Sequence, residues 1–131
     1  MKKSYGAVPD PSAKHPYDMT DREFFAEFAK RTGLYIGYTD LRGVFAYIEG
    51  YDMACRRRGE PVLTGWHEWL VRYQNLEHSP LAWSAQIRQI ALPDHDSVSP
   101  LTKEQETIVL TAIFDLLDTF LAERESAQQV S

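Results

Sequence analysis

Two histidine-containing segments are the first candidates for chemistry. His67 and Glu68 match the start of the H-E-x-x-H signature of zinc proteases, but Val71 stands where the second histidine ligand belongs. The segment Asp94-His95-Asp96 supplies three potential metal ligands in succession. No Cys or His pair at the spacing of a structural zinc site supports it. We therefore predict a solvated turn there, with no bound metal ion and no cofactor.

Other catalytic signatures are missing from the sequence. It contains no G-x-S-x-G, P-loop or dinucleotide-binding glycine pattern. Carboxylates able to act as acid and base fall on the polar faces of predicted helices, where solvation is the simpler explanation. The sequence therefore predicts that the protein is not an enzyme. The alternative is a small enzyme or ligand-binding domain whose pocket lies beside Gly43 and Gly50.

Three consecutive arginines, Arg56–Arg58, are candidates for binding phosphate. They fall in the last turn of a predicted helix, where cations complement the negative end of the helix dipole. We favour this structural role over a phosphate site.

Three tryptophans within 18 residues are more than a minimal core needs: Trp66, Trp69 and Trp83, with Tyr73 beside them. We expect their rings to fill the seam between two helices. An exposed edge of one ring would make an anchor for a partner, because Trp and Tyr dominate interface hot spots.

The element expected to organise these groups is a long helix over residues 40–58. Thr39 or Asp40 can cap its first N–H groups, and Gly59 is suited to end it. Its large apolar residues recur with the three-and-four spacing of one helical face. They are Leu41, Val44, Phe45, Ile48, Tyr51 and Cys55.

A second, bare face of the same helix carries Gly43, Gly50 and Ala54. A glycine inside a helix costs about 1 kcal/mol relative to alanine. We therefore expect this stripe to admit the backbone of a neighbour, so that the helix is covered on two sides. The remaining arc, which includes Glu49 and Arg56, is expected to face water.

The rest of the chain predicts an N-terminal arm over residues 1–18 and one helical domain over residues 19–131. Leu34–Tyr38 is expected to be a short extended crossing. The fold class is therefore all-α, a single-domain bundle of about five helices around the central 40–58 helix. The other helices are predicted at Asp21–Arg31, Gly65–Gln74, Pro80 to the residue before Pro93, and Lys103–Glu125, the last pairing with the central helix.

Local signals mark the beginnings of these helices. Two capping boxes of the form T-x-x-E/Q occur at Thr20–Glu23 and Thr102–Gln105. Thr64 is expected to cap the third helix. Ser79 is expected to cap the fourth, because Pro80 suits its first helical position.

The length of 131 residues and a hydrophobic content of 44% fit one domain with a core of its own. No apolar run is long enough to span a bilayer, and no apolar segment follows Lys2 and Lys3 as a signal peptide requires. The single cysteine, Cys55, excludes an intramolecular disulfide and fits a reducing cytoplasm. We expect a cytoplasmic protein that does not enter a membrane.

The net charge of −5 is distributed unevenly along the chain. Residues 1–93 hold 12 basic and 11 acidic side chains, whereas residues 94–131 hold 2 and 8. Proteins that bind a duplex usually have the opposite bias, so nucleic acid is not an expected partner. An acidic surface suits a basic protein partner through steering and complementarity, although it also simply keeps a protein in solution.

Several short segments together carry a resemblance. They are Arg31–Gly37, Leu41, Phe45, Gly50, Tyr51, Ala54, Gly59, Leu63, Gly65, Trp66, Glu68, Trp69, Leu70 and Phe114–Leu121. The set resembles a poorly characterised family of small bacterial proteins. That family has an R-P-G-M-Y-I-G opening, an F-x-x-G-Y-x-x-A helix and a G-F-x-x-F/W-L segment.

The match covers residues 24–125, and Thr32 and Leu34 replace the proline and methionine of the family's opening. Proteins of this kind are associated with immunity partners of secreted bacterial toxins. The resemblance therefore implies an all-α fold and that role, and it carries over no catalytic residue.

These observations together predict a non-catalytic protein-binding module, an immunity protein that neutralises a bacterial toxin by covering its active site. Nuclease or ADP-ribosyltransferase toxins have basic clefts that an acidic protein can block. A regulatory adaptor in a self-associating complex is a further alternative. The predicted contact residues are Asp94, Asp96, Glu104, Asp115, Asp118, Trp66 and Glu68.

Overall fold

The computed structural model describes residues 14–33, 40–96 and 98–130, with side chains up to residue 128. Within these ranges the chain contains helices and no strand, which confirms the all-α prediction. Most of the predicted arm and the crossing at Leu34–Tyr38 lie outside the described residues. The described elements are a 3₁₀ turn at Pro16–Asp18 and the helices α1 (Asp21–Lys30), α2 (Leu41–Arg57), α3 (Trp66–Tyr73), α4 (Trp83–Ala91) and α5 (Lys103–Val130).

The longest helix, α5, is the element that the other helices share. It packs against α1, α2 and α4, and α3 packs against α4. The apolar face of α5, on which large apolar residues recur every three or four positions, is buried from Val109 to Leu121. Its core residues are Val109, Ile113, Leu116, Leu117, Phe120 and Leu121.

Aromatic rings fill the seams between the helices. The Trp66 ring lies 5.9 Å from that of Trp83 and 5.2 Å from that of Phe120, so it joins α3 to α4 and α5. The prediction that the tryptophans fill the seam between α3 and α4 is therefore confirmed for Trp66 and Trp83, whereas Trp69 contacts Phe120 of α5. On the other side of the core, Phe28 of α1 meets Phe114 of α5 at 5.5 Å.

The helix α2 is buried along one face, through Val44 and Ile48. Of the bare stripe, Gly43 is buried, but Gly50 and Ala54 are exposed. A Cβ atom added at Gly50 would meet no atom within 4 Å. The prediction of a second covered face is therefore wrong at these two positions, because small side chains present little apolar area that needs cover.

The predicted caps at the start of α1, α2 and α5 are confirmed. Thr20 and Glu23 form a reciprocal capping box, and the backbone N–H groups of Thr102 and Gln105 exchange the same pair of hydrogen bonds with each other's side chains. At α2, the Asp40 carboxylate accepts from the N–H of Gly43 at 2.7 Å.

The predicted caps of α3 and α4 are wrong. Gly65 precedes α3 in a left-handed conformation, with φ of 84°, and no side chain caps the helix. At α4 the preceding residue is Ala82, and the Ser79 hydroxyl instead accepts from the N–H of Leu81 within the loop. The buried Gln86 donates from its side-chain amide to the carbonyl of Leu81, and Ala82 is in an extended conformation.

A buried carboxylate ties the end of α2 to the segment that leads into α3. Asp52 is 5% exposed, and its Oδ1 accepts from the N–H groups of Val62 and Leu63 at 2.9 and 2.8 Å. Its Oδ2 accepts from Nε of Arg56 at 2.7 Å. Burial raises the pKa of the Asp52 carboxyl, but these hydrogen bonds and the Arg56 charge outweigh burial, so the pKa is lowered.

Candidate functional site

An open groove of about 1220 Å³ lies between α1 and the C-terminal half of α5. The two helices run in opposite directions along it. Arg22, early in α1, pairs with Asp118, whereas Phe28, later in α1, contacts the earlier residue Phe114 of α5. We call this surface the α1–α5 groove.

The floor of the α1–α5 groove is apolar. Phe25 and Leu121 line it from the core, at 3% and 1% exposure, and Phe114 lines it half-buried. On the α1 side the lining residues Ala26 and Ala29 are exposed. Because their side chains are single methyl groups, they leave space above the floor for a partner's side chains.

One ion pair bridges the two walls of the groove. Nε and Nη2 of Arg22 donate to the two carboxylate oxygens of Asp118 at 2.8 and 3.1 Å, and Glu125 lies 4.0 Å from the same guanidinium. Both paired side chains are 44% exposed. The hydrogen bond that Arg22 donates to Asp118, and then the negative charge of that carboxylate, raise the pKa of Arg22. Because solvent reaches both side chains, a cation from another molecule can compete with Arg22 for Asp118.

A second set of contacts fixes the far edge of the groove. Arg124 of α5 lies 3.7 Å from Asp21 of α1, which also accepts a hydrogen bond from the Tyr51 hydroxyl at 2.9 Å. Burial, and then that hydrogen bond, raise the pKa of Tyr51. Arg124 also donates to the carbonyl of Val62, so its side chain is held in the structure.

The charged residues that line the groove sum to −2, with five carboxylates and three cations. Glu23 is held by Lys14 at 3.0 Å. Asp115 is exposed and forms an ion pair with none of the described cations, including Lys30, which lines the groove. The carboxylates are Asp21, Glu23, Asp115, Asp118 and Glu125, and the cations are Arg22, Lys30 and Arg124.

The groove brings together two of the seven predicted contact residues, Asp115 and Asp118. Glu104 is exposed in the first turn of the same helix, where a carboxylate stabilises the positive helix end. It lies 11 positions before Asp115, which corresponds to about 16 Å along a helix. Glu104 is therefore separate from the groove.

The predicted contacts Asp94 and Asp96 lie in the loop between α4 and α5. Asp96 accepts hydrogen bonds from the N–H groups of Val98 and Ser99 and from the Ser99 hydroxyl. The Ser99 hydroxyl and these N–H groups lower the pKa of Asp96 to about 2. The Asp96 carboxylate thus organises its own loop. Among the described residues no cluster of His, Cys, Asp and Glu is placed to hold a metal ion.

The other two predicted contacts, Trp66 and Glu68, lie on α3. Trp66 is 1% exposed, so its ring belongs to the core and is not a surface group. Glu68 is exposed beside a second groove of about 610 Å³, where Nε1 of Trp69 donates to Glu123 at 2.9 Å. The exposed aromatic group of this region is Tyr73, which stacks on Trp69 at 5.5 Å.

The part of the chain that the structure describes contains no helix with the length and apolar character needed to cross a bilayer. No family model, curated protein or solved structure matches the chain. The resemblance to immunity proteins and the roles of the predicted contact residues therefore stay predictions.

Sequence reasoning missed the cationic half of the groove. Arg22 and Asp118 are 96 positions apart, and Asp21 and Arg124 are similarly distant, so neither pair has a local signal. The capping box at Thr20 did mark the start of α1. The direction in which α1 packs on α5 depends on tertiary contacts that no single segment contains.

Proposed function

We propose that this chain is a non-catalytic protein-binding module, an immunity protein that neutralises a bacterial toxin by covering its active site. The main support for the proposal is the environment of Asp115. This carboxylate is exposed on the rim of an apolar groove, and none of the described cations pairs with it. A groove with an apolar floor and a charged rim has the usual layout of a protein interface.

The net negative charge of the groove lining favours a basic partner. The groove lining sums to −2, and Asp118 and Asp115 lie one helical turn apart on the same wall. The toxins expected for such a protein have basic active-site clefts. A carboxylate surface accelerates association with such a cleft and disfavours acidic competitors.

The test is co-expression with the product of the adjacent gene. We expect the two proteins to co-purify and the chain to restore growth of cells that express the toxin. The Asp115→Lys variant should lower the affinity about tenfold or more, because it places a cation against a basic partner. The matched control is Glu77→Lys, an exposed charge reversal in the α3–α4 loop.

Two results would count against the proposal. One is a failure of the wild-type chain to bind the toxin or to rescue the cells. The other is a complex in which Glu77→Lys weakens binding as much as Asp115→Lys does.

A further inference from the structure

We propose that the α1–α5 groove accepts a basic, amphipathic helix of the partner protein, and that Arg22 is the internal side chain which a partner arginine replaces on Asp118. This inference rests on the proposed protein-binding function and names the element that the site recognises. A helix is the occupant because two antiparallel helices, α1 and α5, form parallel walls. The apolar groups that remain accessible between them are the exposed Ala26 and Ala29 and the half-buried Phe114.

The small residues of α1 set the depth of the site. Ala26 and Ala29 are three positions apart on one face and are both exposed above Phe25. Because neither side chain extends beyond its Cβ atom, a third helix can approach the backbone of α1 closely. The described helix α1 has 10 residues, about 15 Å, which matches roughly three turns of an incoming helix.

Charge selects a basic helix over an acidic one. Among the described residues, Asp115 has no paired cation, and Asp118 pairs only with the guanidinium of Arg22, which is itself 44% exposed. Asp115 and Asp118 are three positions apart on α5, so they offer two carboxylates to cations spaced by one turn of the incoming helix.

Arg22 occupies the position that the partner's cation needs. Its bidentate contact with Asp118 has the geometry that an arginine of the partner would adopt. Before the partner binds there, the internal pair must open. Arg22 also repels an approaching cation. Removing the Arg22 charge should therefore strengthen binding, whereas a residue that merely shapes the groove would weaken binding when removed.

The experiment uses the full chain and a synthetic peptide as the probe. The peptide is a helix-forming sequence of alanine and leucine with three arginines on one face, and the control peptide has glutamates in their place. Binding is measured by titration, and its position is mapped from amide NMR shifts. We expect the arginine peptide to shift amides of α1 and of residues 114–125 of α5, and the glutamate peptide to leave them unchanged.

Three variants make the test specific. Arg22→Gln should bind the arginine peptide about two- to fivefold more tightly, the range expected when one exposed ion pair no longer competes. Ala26→Trp should abolish binding by filling the groove. Ala54→Trp, the same change on the exposed face of α2, should bind like the wild type. Thermal melting tests whether each variant is folded. If Ala26→Trp is not folded, Asp115→Lys takes its place in the experiment.

Several outcomes would overturn this inference. They are equal binding of both peptides, no binding, shifts located elsewhere, weaker binding by Arg22→Gln, or shifts of the groove amides on concentrating the protein alone, which would indicate a second copy as occupant. If the product of the adjacent gene still co-purifies with the chain, the cells survive, and Asp115→Lys weakens that complex more than Glu77→Lys does, the proposed function stands and only the assignment of a helix to the groove fails.

Discussion

At the scale of single residues, Asp52 has the clearest role in the stability of the fold. This residue is 5% exposed, and its carboxylate accepts hydrogen bonds from two backbone N–H groups and one guanidinium. Asp52 therefore joins the end of α2 to the segment before α3. A polar group buried without a partner costs about 1–3 kcal/mol. No local signal in the sequence marks this role, because the N–H groups that donate to Asp52 lie 10 and 11 positions away.

We predict that Asp52→Ala lowers the free energy of unfolding by about 2–4 kcal/mol, since it leaves the N–H groups of Val62 and Leu63 without an acceptor. Asp52→Asn should cost less, because an amide oxygen can still accept from them. Glu60→Ala, an exposed change nearby, is the control and should stay within about 0.5 kcal/mol of the wild type. Urea unfolding measures all three, and equal stability of Asp52→Ala and wild type would contradict the account.

The lowered pKa of Asp52 predicts a dependence of stability on pH. The folded state releases the proton more readily than the unfolded state does, so ionised Asp52 stabilises the fold above the unfolded value of about 4. This stabilisation is lost as the pH falls from about 4 through the folded-state pKa. The stability difference between wild type and Asp52→Asn should therefore shrink over the range of pH below about 4. A difference that is constant over this range would contradict the assignment.

At the scale of elements, the helix ends separate local from tertiary control. Thr20 and Thr102 sit in capping boxes whose hydrogen bonds all lie within four residues, and the sequence predicted both correctly. Thr64 and Ser79 have equally suitable side chains, but the residue that directly precedes α3 is Gly65, in a left-handed conformation, and the residue that directly precedes α4 is Ala82. A suitable side chain therefore predicts a cap only where the helix begins at the very next residue.

We therefore predict that Thr20→Ala and Thr102→Ala each destabilise the fold by about 1 kcal/mol, the typical value for a lost N-terminal cap. Thr64→Ala should change stability by less than about 0.5 kcal/mol, because no side chain caps α3. Thermal or urea unfolding of the three variants under one set of conditions measures the contrast. A cost for Thr64→Ala as large as that of Thr20→Ala would show that α3 is capped from Thr64 after all.

The outer face of α2 offers a second prediction at this scale. Because a Cβ atom at Gly50 meets nothing within 4 Å, Gly50→Ala should stabilise the protein by about 0.5–1 kcal/mol through helix propensity. If a neighbouring backbone covered this face, as the spacing of Gly43, Gly50 and Ala54 predicted, the same change would destabilise it. The free energy of unfolding of the variant, compared with that of the wild type at low and at high protein concentration, distinguishes the two outcomes.

At the scale of the whole molecule, the all-α class and the inner face of α5 followed from periodicity, because apolar residues repeated every three or four positions over many turns. The α1–α5 groove did not follow, since it depends on how two helices separated by most of the chain align. Sequence reasoning reached only its carboxylate wall, Asp115 and Asp118. The surface proposed to bind the partner is therefore one that tertiary packing creates, and a decisive experiment must locate the partner on that surface.

The most direct test is the hydrogen-exchange footprint of the chain in complex with the product of the adjacent gene. Protection should increase in α1 and in residues 114–125 of α5, and the exposed face of α2 around Gly50 should exchange as it does in the free chain. Protection centred on that face of α2 or on the Arg56–Arg58 end, with α1 unchanged, would contradict the account.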